Sequence, residues 1–167
     1  MSVWLVKCKG GRGGWHWHSY FDNEAGDWSR SEAWGNRNWI RSTSSMKRIR
    51  EEVAKGDLVV CYQVEERAIL GLTQMAACGT DDPPGSGYYN TITLVSASKA
   101  LKLNRPLTVF ELRATGCDPK SFRPGSLGTV FPISDSELKG IITAVKSYSP
   151  TMVTKLDRWL KRARYVS

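Results

Sequence analysis

The sequence predicts a mixed α+β fold, five or six strands with short helices set between them, and three observations carry this. Several short apolar runs rich in Val, Ile, Leu and Thr are cut by Gly, Asp and Pro, at strand length rather than helix length. Two Ser/Thr-x-x-Glu boxes, Thr108 with Glu111 and Ser134 with Glu137, open helices in the second half. Strand-like and helix-like stretches alternate with no internal repeat and no linker long enough to divide the chain. At 167 residues and 18.7 kDa, this predicts one domain over 1–167 with a sizeable core.

In chain order, Val3-Trp4-Leu5-Val6-Lys7-Cys8 reads as a buried first strand. Residues 9–14 hold four glycines and Arg12; they read equally as a phosphate cradle of backbone amides or as a plain linker, and lack Walker spacing. Trp15-His16-Trp17-His18-Ser19-Tyr20-Phe21 alternates like a strand or extended flap, a wall over a pocket or simply structure. Residues 22–41 support no more than short turns. Ser44 or Ser45 caps a helix running to about Lys55, with Met46, Ile49 and Val53 inward, Glu51 paired to Lys55, and Gly56 ending it. Residues 58–64 and 67–75 form a hairpin about Glu65-Glu66. Residues 81–87 are a loop and 89–98 a strand. Pro106 leads into the helix capped by Thr108, and 127–133 is a further strand. Ser134 caps the clearest helix, whose Leu138, Ile141, Ile142, Val145 and Tyr148 share a face, with Ile133 and Leu138 as its staple. Ser149-Pro150 starts a basic final helix over about 150–165, with Val153, Leu156, Trp159, Leu160 and Ala163 inward.

Composition narrows the function. Apolar residues make up 41% and charged residues 24%, which is globular rather than disordered material. No run of about 18 apolar residues and no signal-peptide core is present, so a soluble cytoplasmic protein with no membrane partner is expected. Cys8, Cys61, Cys78 and Cys117 are widely spaced in or near apolar stretches and read as free thiols. Net charge is +8, which favours polyanions without requiring them. Of seven tryptophans, Trp15, Trp17, Trp28, Trp34 and Trp39 cluster in polar, glycine-rich surroundings, as at a pocket or contact surface. His16 and His18 form a His-x-His pair, but nothing of matching spacing completes a metal site, and no metal or cofactor is expected.

Chemistry concentrates between Trp34 and Thr73. Here Trp34, Asn36, Asn38, Tyr62 and Gln63, joined by Trp15 and Trp17, are the candidate base-binding residues, able to stack on a flat ring and hydrogen-bond its edge. Arg37, Arg41, Lys47, Arg48 and Arg12 are the candidate phosphate-binding residues. The partner expected is DNA or RNA carrying a modified base, and the protein is expected to be a monomer.

The same stretch carries a family resemblance. Trp34-Gly35-Asn36-Arg37-Asn38, Met46, Gly56-Asp57, the strand ending in Tyr62 and Ile69-Leu70-Gly71-Leu72 resemble, in order, the EVE domain of the PUA-like superfamily. Downstream, the segment from Pro106 to Leu112 and that from Leu127 to Ile133 are similar to its proline-led helix and a late strand. The resemblance implies a small PUA-like pseudo-barrel, related to YTH domains, that binds nucleic acid and takes a modified base into an aromatic pocket. Carried over by position, it makes Trp34, Asn36, Arg37, Asn38 and Tyr62 pocket and rim residues. Gln63 stands where the family has His, Val64 where it has Ser, and Asn36 where Val is usual, and such edges set which base is accepted. Two other classes compete with a non-catalytic reader. A hydrolase would use His16 or His18 with Asp22 or Glu24, although no nucleophile–base–orienter set can be read. A protein-interaction module would use the tryptophan patch.

Overall fold

A computed structural model describes residues 1–9, 16–22, 43–80, 91–122 and 129–165. Six strands, β1 (Val3–Cys8), β2 (Leu58–Gln63), β3 (Ala68–Thr80), β4 (Thr91–Leu94), β5 (Leu101–Thr108) and β6 (Val130–Ile133), form one mixed sheet. Its order is β4-β3-β2-β1-β6, with β5 also paired to β3. Only β1 and β2 run parallel; the other pairs are antiparallel. The helices are α1 (Trp17–Asp22), α2 (Thr43–Glu51), α3 (Val109–Ala114), α4 (Asp135–Tyr148) and α5 (Val153–Arg162).

The central strands are buried on both faces, which is why they read as continuous apolar runs rather than alternating ones. Val3 and Leu5 of β1 and Leu58, Val60 and Tyr62 of β2 face a cluster closed by Leu112, α4 and α5. Trp4, Val6 and Cys8 of β1 and Val59 and Cys61 of β2 face a second cluster closed by Trp17 and Tyr20 of α1 and Ile49 and Val53. The parallel β1–β2 pair, Lys7 beside Tyr62 and Cys8 beside Gln63, sets the C-terminal ends of these strands together.

The long strand β3 serves two partners in turn. Ala68 to Leu72 pair with β5, and Met75 to Thr80 pair with β4. At Gly71 a Cβ would stand 2.3 Å from the Leu101 carbonyl oxygen and 2.4 Å from Cζ of Phe21, so only glycine lets β5 and α1 approach this closely. Both expected capping boxes are present: Thr108 Oγ1 accepts from the Glu111 amide and Ser134 Oγ from the Glu137 amide, with each glutamate reaching back to its cap. Ile133 and Leu138 lie in one cluster, as the staple requires. The thiols of Cys8, Cys61 and Cys117 are free and buried.

Several elements differ from the sequence reading. The aromatic run after β1 is helix from Trp17 onward, not an extended flap, because Trp17, Tyr20 and Phe21 fall at i, i+3 and i+4, and Trp17 and Tyr20 turn inward. Helix α2 stops at Glu51, so Lys55 lies beyond it and Glu51 pairs instead with Lys47 at 3.8 Å. Gly56, at φ +89, turns the chain into β2. Ser45 sits within α2 instead of capping it, and its Oγ accepts from the amides of Thr129 and Val130. Pro106 lies in β5, a strand the sequence reading lacks, and not at a helix start. The predicted strand over 89–98 shortens to β4, followed by a 3-10 turn at Ala97–Lys99. Ser149-Pro150 opens a 3-10 turn rather than α5 itself, and the Ser149 side chain makes no cap.

Candidate nucleic-acid interface

Where β1 and β2 end together, one face carries an aromatic and cationic group. Lys7 and Tyr62 are register neighbours, and Lys7 Nζ lies 6.0 Å from the Tyr62 ring centroid. The same ammonium is 4.6 Å from the ring of Phe131, brought in by β6. Arg48 reaches over from α2: one guanidinium nitrogen donates to the Val130 carbonyl at 2.8 Å, and Cζ lies 5.7 Å from the Phe131 ring. Together, Ser45 and Arg48 cover backbone groups of β6 that β1 does not pair, which protects an otherwise open edge. Phe122 packs edge-on against Tyr62, with centroids 5.1 Å apart and planes at 83°.

Burial shifts the ionisable groups here. Lys7 is half-buried, and loss of hydration lowers its pKa, as for any cation taken from water. The Tyr62 ring is only 5% exposed; burial raises its pKa, while the charges of Arg67 and Arg113 pull the other way. Among the described residues nothing hydrogen-bonds the Tyr62 hydroxyl. Such a site can stabilise a flat, anion-bearing ligand: two cations set against rings, and a phenol able to donate or accept.

The structure separates the sequence-predicted site residues. Tyr62 joins this group, although as a buried core wall rather than an open platform. Arg48 also joins it, while Lys47 is exposed on α2 beside Glu51. Gln63 faces the opposite side of the sheet, wholly buried; its Oε1 accepts from the Trp17 amide at 3.0 Å and its Nε2 donates to Glu65 at 2.6 Å. As placed, both ends of that amide are engaged within the protein. Trp17 is 0% exposed, donates its indole N–H to the Val6 carbonyl at 3.1 Å and packs edge-on against Tyr20, so it offers a base no surface. Trp15, Trp34, Asn36, Asn38, Arg12, Arg37 and Arg41 lie outside the described residues. The sequence reading missed Lys7, Phe131, Phe122, Arg67 and Arg113. For Lys7 the signal was a single charge in an apolar strand, at the same parity as the core residues Val3 and Leu5.

The alternative chemistries find the following geometry. His18 Nε2 is 2.5 Å from Glu66 Oε1, and the His16 ring stacks on His18 at 6.1 Å. Among the described residues no group of three His, Cys, Asp or Glu is placed to hold a metal ion. No helix among the described residues is long and apolar enough to cross a membrane.

No protein-family model matches this chain, and no curated protein does. Solved structures do. Human THYN1, solved in complex with 5-methylcytosine-containing DNA, superposes with a TM-score of 0.63 at 14% identity, covering 86% of this chain and 96% of that one. Rpa0253 from Rhodopseudomonas palustris gives 0.60 at 20% identity over 86% and 92%, and Atu2648 from Agrobacterium tumefaciens gives 0.61 at 16% identity over 86% and 93%. The fold is PUA-like. At these identities the likeness is one of fold alone. The described strands form an open sheet rather than a closed barrel, with β6 at one end of the strand order and β4 at the other.

The buried groups of this PUA-like domain set its response to alkali. Burial raises the pKa of Cys8 and Cys61 well above the ordinary 9.0, and those of Tyr20 and Tyr62 above 10.0. The unfolded chain therefore releases these protons first, and the stability they contribute, complete below about pH 9, drains away as pH climbs toward the folded values. Lys7, with its lowered pKa, acts oppositely, but it is one group against four. Urea denaturation should show stability level from about pH 7 to 8 and declining from about pH 9 upward. Constant or rising stability through that range contradicts the assignment.

Proposed function

We propose that this protein is a nucleic-acid-binding reader of the EVE type, which takes one modified base, such as a methylated or hydroxymethylated pyrimidine, into a partly aromatic pocket and does no chemistry on it. The observation that carries the reading is the pair of cations, Lys7 and Arg48, set against Phe131 and Tyr62 where β1 and β2 end. A protein of the same fold, human THYN1, was solved with DNA containing 5-methylcytosine, which supports a modified-base ligand. Extruding a base costs a few kcal/mol. Stacking returns about 1–3 kcal/mol per base, and phosphate contacts supply affinity that weakens steeply with salt. Trp34, Asn36, Arg37, Asn38 and Arg41 complete the pocket and rim in this proposal, on the strength of their sequence alone.

The test is a binding screen over unmodified, methylated and hydroxymethylated DNA and RNA at two salt concentrations. A preference of about ten- to hundredfold for one modified oligonucleotide is expected, since one methyl group in apolar space is worth about 1–3 kcal/mol. Trp34→Ala should weaken it, as should Tyr62→Phe, which removes the hydroxyl without opening the core against Phe122. Oligonucleotide binding that ignores both modification and salt, or that neither variant affects, defeats the proposal.

A further inference from the structure

Phe110 is 82% exposed, an unusual position for a phenylalanine on a helix held as firmly as α3. The capping box of Thr108 and Glu111 fixes the start of α3, Arg105 pairs with Glu111 at 2.7 Å, and Val109 and Leu112 bury the inner face. Phe110 and Arg113, three residues apart, therefore share the outer face. Helix α3 begins against the β2–β3 turn, where the Val109 amide donates to the Arg67 carbonyl at 3.0 Å. Arg67 follows Tyr62 around that turn, and both Arg67 and Arg113 lie within electrostatic reach of the Tyr62 hydroxyl. This corner thus stands at the Lys7–Tyr62 end of the sheet.

Arg67 has a second peculiarity. Its φ is +51, the left-handed region where glycine or asparagine costs least. Its side chain is exposed and forms no ion pair among the described residues, whereas the neighbouring acids are taken: Glu65 by Gln63, Glu66 by His18, Glu111 by Arg105 and Asp118 by Arg113. An arginine held in a glycine-like conformation, beside an exposed ring and a second arginine, is suited to phosphate and base.

We infer that the Arg67–Phe110–Arg113 corner is a second contact for the same nucleic-acid strand: Phe110 stacks on a base next to the one taken up, while Arg67 and Arg113 hold flanking phosphates. This rests on the nucleic-acid reading above. It requires a single-stranded or locally opened strand, since a ring fixed on a short helix can reach a base face only where stacking is already broken.

Fluorescence anisotropy with short single-stranded oligonucleotides, using the preferred modification, tests it. Phe110→Ala should weaken binding by about five- to hundredfold, with urea stability unchanged because the ring is exposed. Phe110→Trp should restore binding and Phe110→Leu should not. Arg67→Gly should resist urea at least as well as the parent, having lost the left-handed strain. It should nevertheless bind more weakly, with a salt slope shallower by about one phosphate's worth. If Phe110→Ala and Arg67→Gly bind like the parent while Lys7→Met is impaired, the corner is no contact and the broader reading stands. If Phe110→Leu repairs the loss as fully as Phe110→Trp, stacking is overturned. A parent protein with no salt-dependent affinity for any oligonucleotide overturns both.

Discussion

Asp57→Ala is expected to lower the unfolding free energy by about 3–5 kcal/mol, roughly what breaking a buried charged network costs. The carboxylate is buried and accepts three hydrogen bonds. Oδ1 takes the Ser2 amide at 2.7 Å, while Oδ2 takes the Trp4 indole N–H at 2.8 Å and the Ala54 amide at 2.9 Å. These partners come from the start of β1, from within β1 and from the turn after α2, so one side chain joins three segments at the head of β2. Without it, the Ser2 and Ala54 amides can turn to water, but the Trp4 indole N–H is buried in the second cluster and cannot. Asp57→Asn should fall between the parent and Asp57→Ala. Its one oxygen can serve Trp4 and Ala54, leaving its amino group facing the Ser2 amide, donor against donor. Urea midpoints rank the three, and equal midpoints for parent and Asp57→Ala would mean that this tie contributes nothing.

That tie also shows what was legible in the sequence. Gly56-Asp57 reads locally as the end of a helix and the start of a strand, and the chain does turn there, with Gly56 in the left-handed region. Both capping boxes, the hairpin of β2 and β3, and the inward faces of α4 and α5 were likewise readable, because each depends on residues within a few positions of one another. Strand β5 was not. Leu101, Leu103 and Leu107 do alternate inward, but Pro106 reads as a helix opener. Proline is tolerated there because β5 pairs only with β3 among the described strands, and the register shifts between Ile69 and Gly71. The site was legible in kind and less so in detail. Aromatic rings and cations do gather at the end of β2, but Lys7 and Phe131 meet only through the β1–β6 pairing, which no local pattern announces. Trp17 and Gln63 look like pocket residues because both can stack or hydrogen-bond. Instead they bond to each other across the opposite face, where the buried Gln63 amide must find partners inside the protein.

Lys7→Met should weaken oligonucleotide binding by about ten- to hundredfold while leaving the fold at least as stable, and this combination separates a ligand-binding lysine from a structural one. Methionine keeps an unbranched apolar stem against Phe131 and Tyr62 and removes a cation whose burial already lowers its pKa. Stability therefore has little to lose. A charge-assisted hydrogen bond to ligand is worth about 1.5–3 kcal/mol, hence the range of the binding effect. If Lys7 meets a phosphate, the loss should be uniform across sequences and shrink at high salt. If it meets the edge of the extruded base, the loss should fall on the preferred modified oligonucleotide and erase its advantage over the unmodified one. Isothermal titrations with both oligonucleotides at two salt concentrations distinguish these outcomes. Parent-like affinity in all four titrations would remove Lys7 from the interface, and with it the geometric basis for placing a ligand where β1 and β2 end.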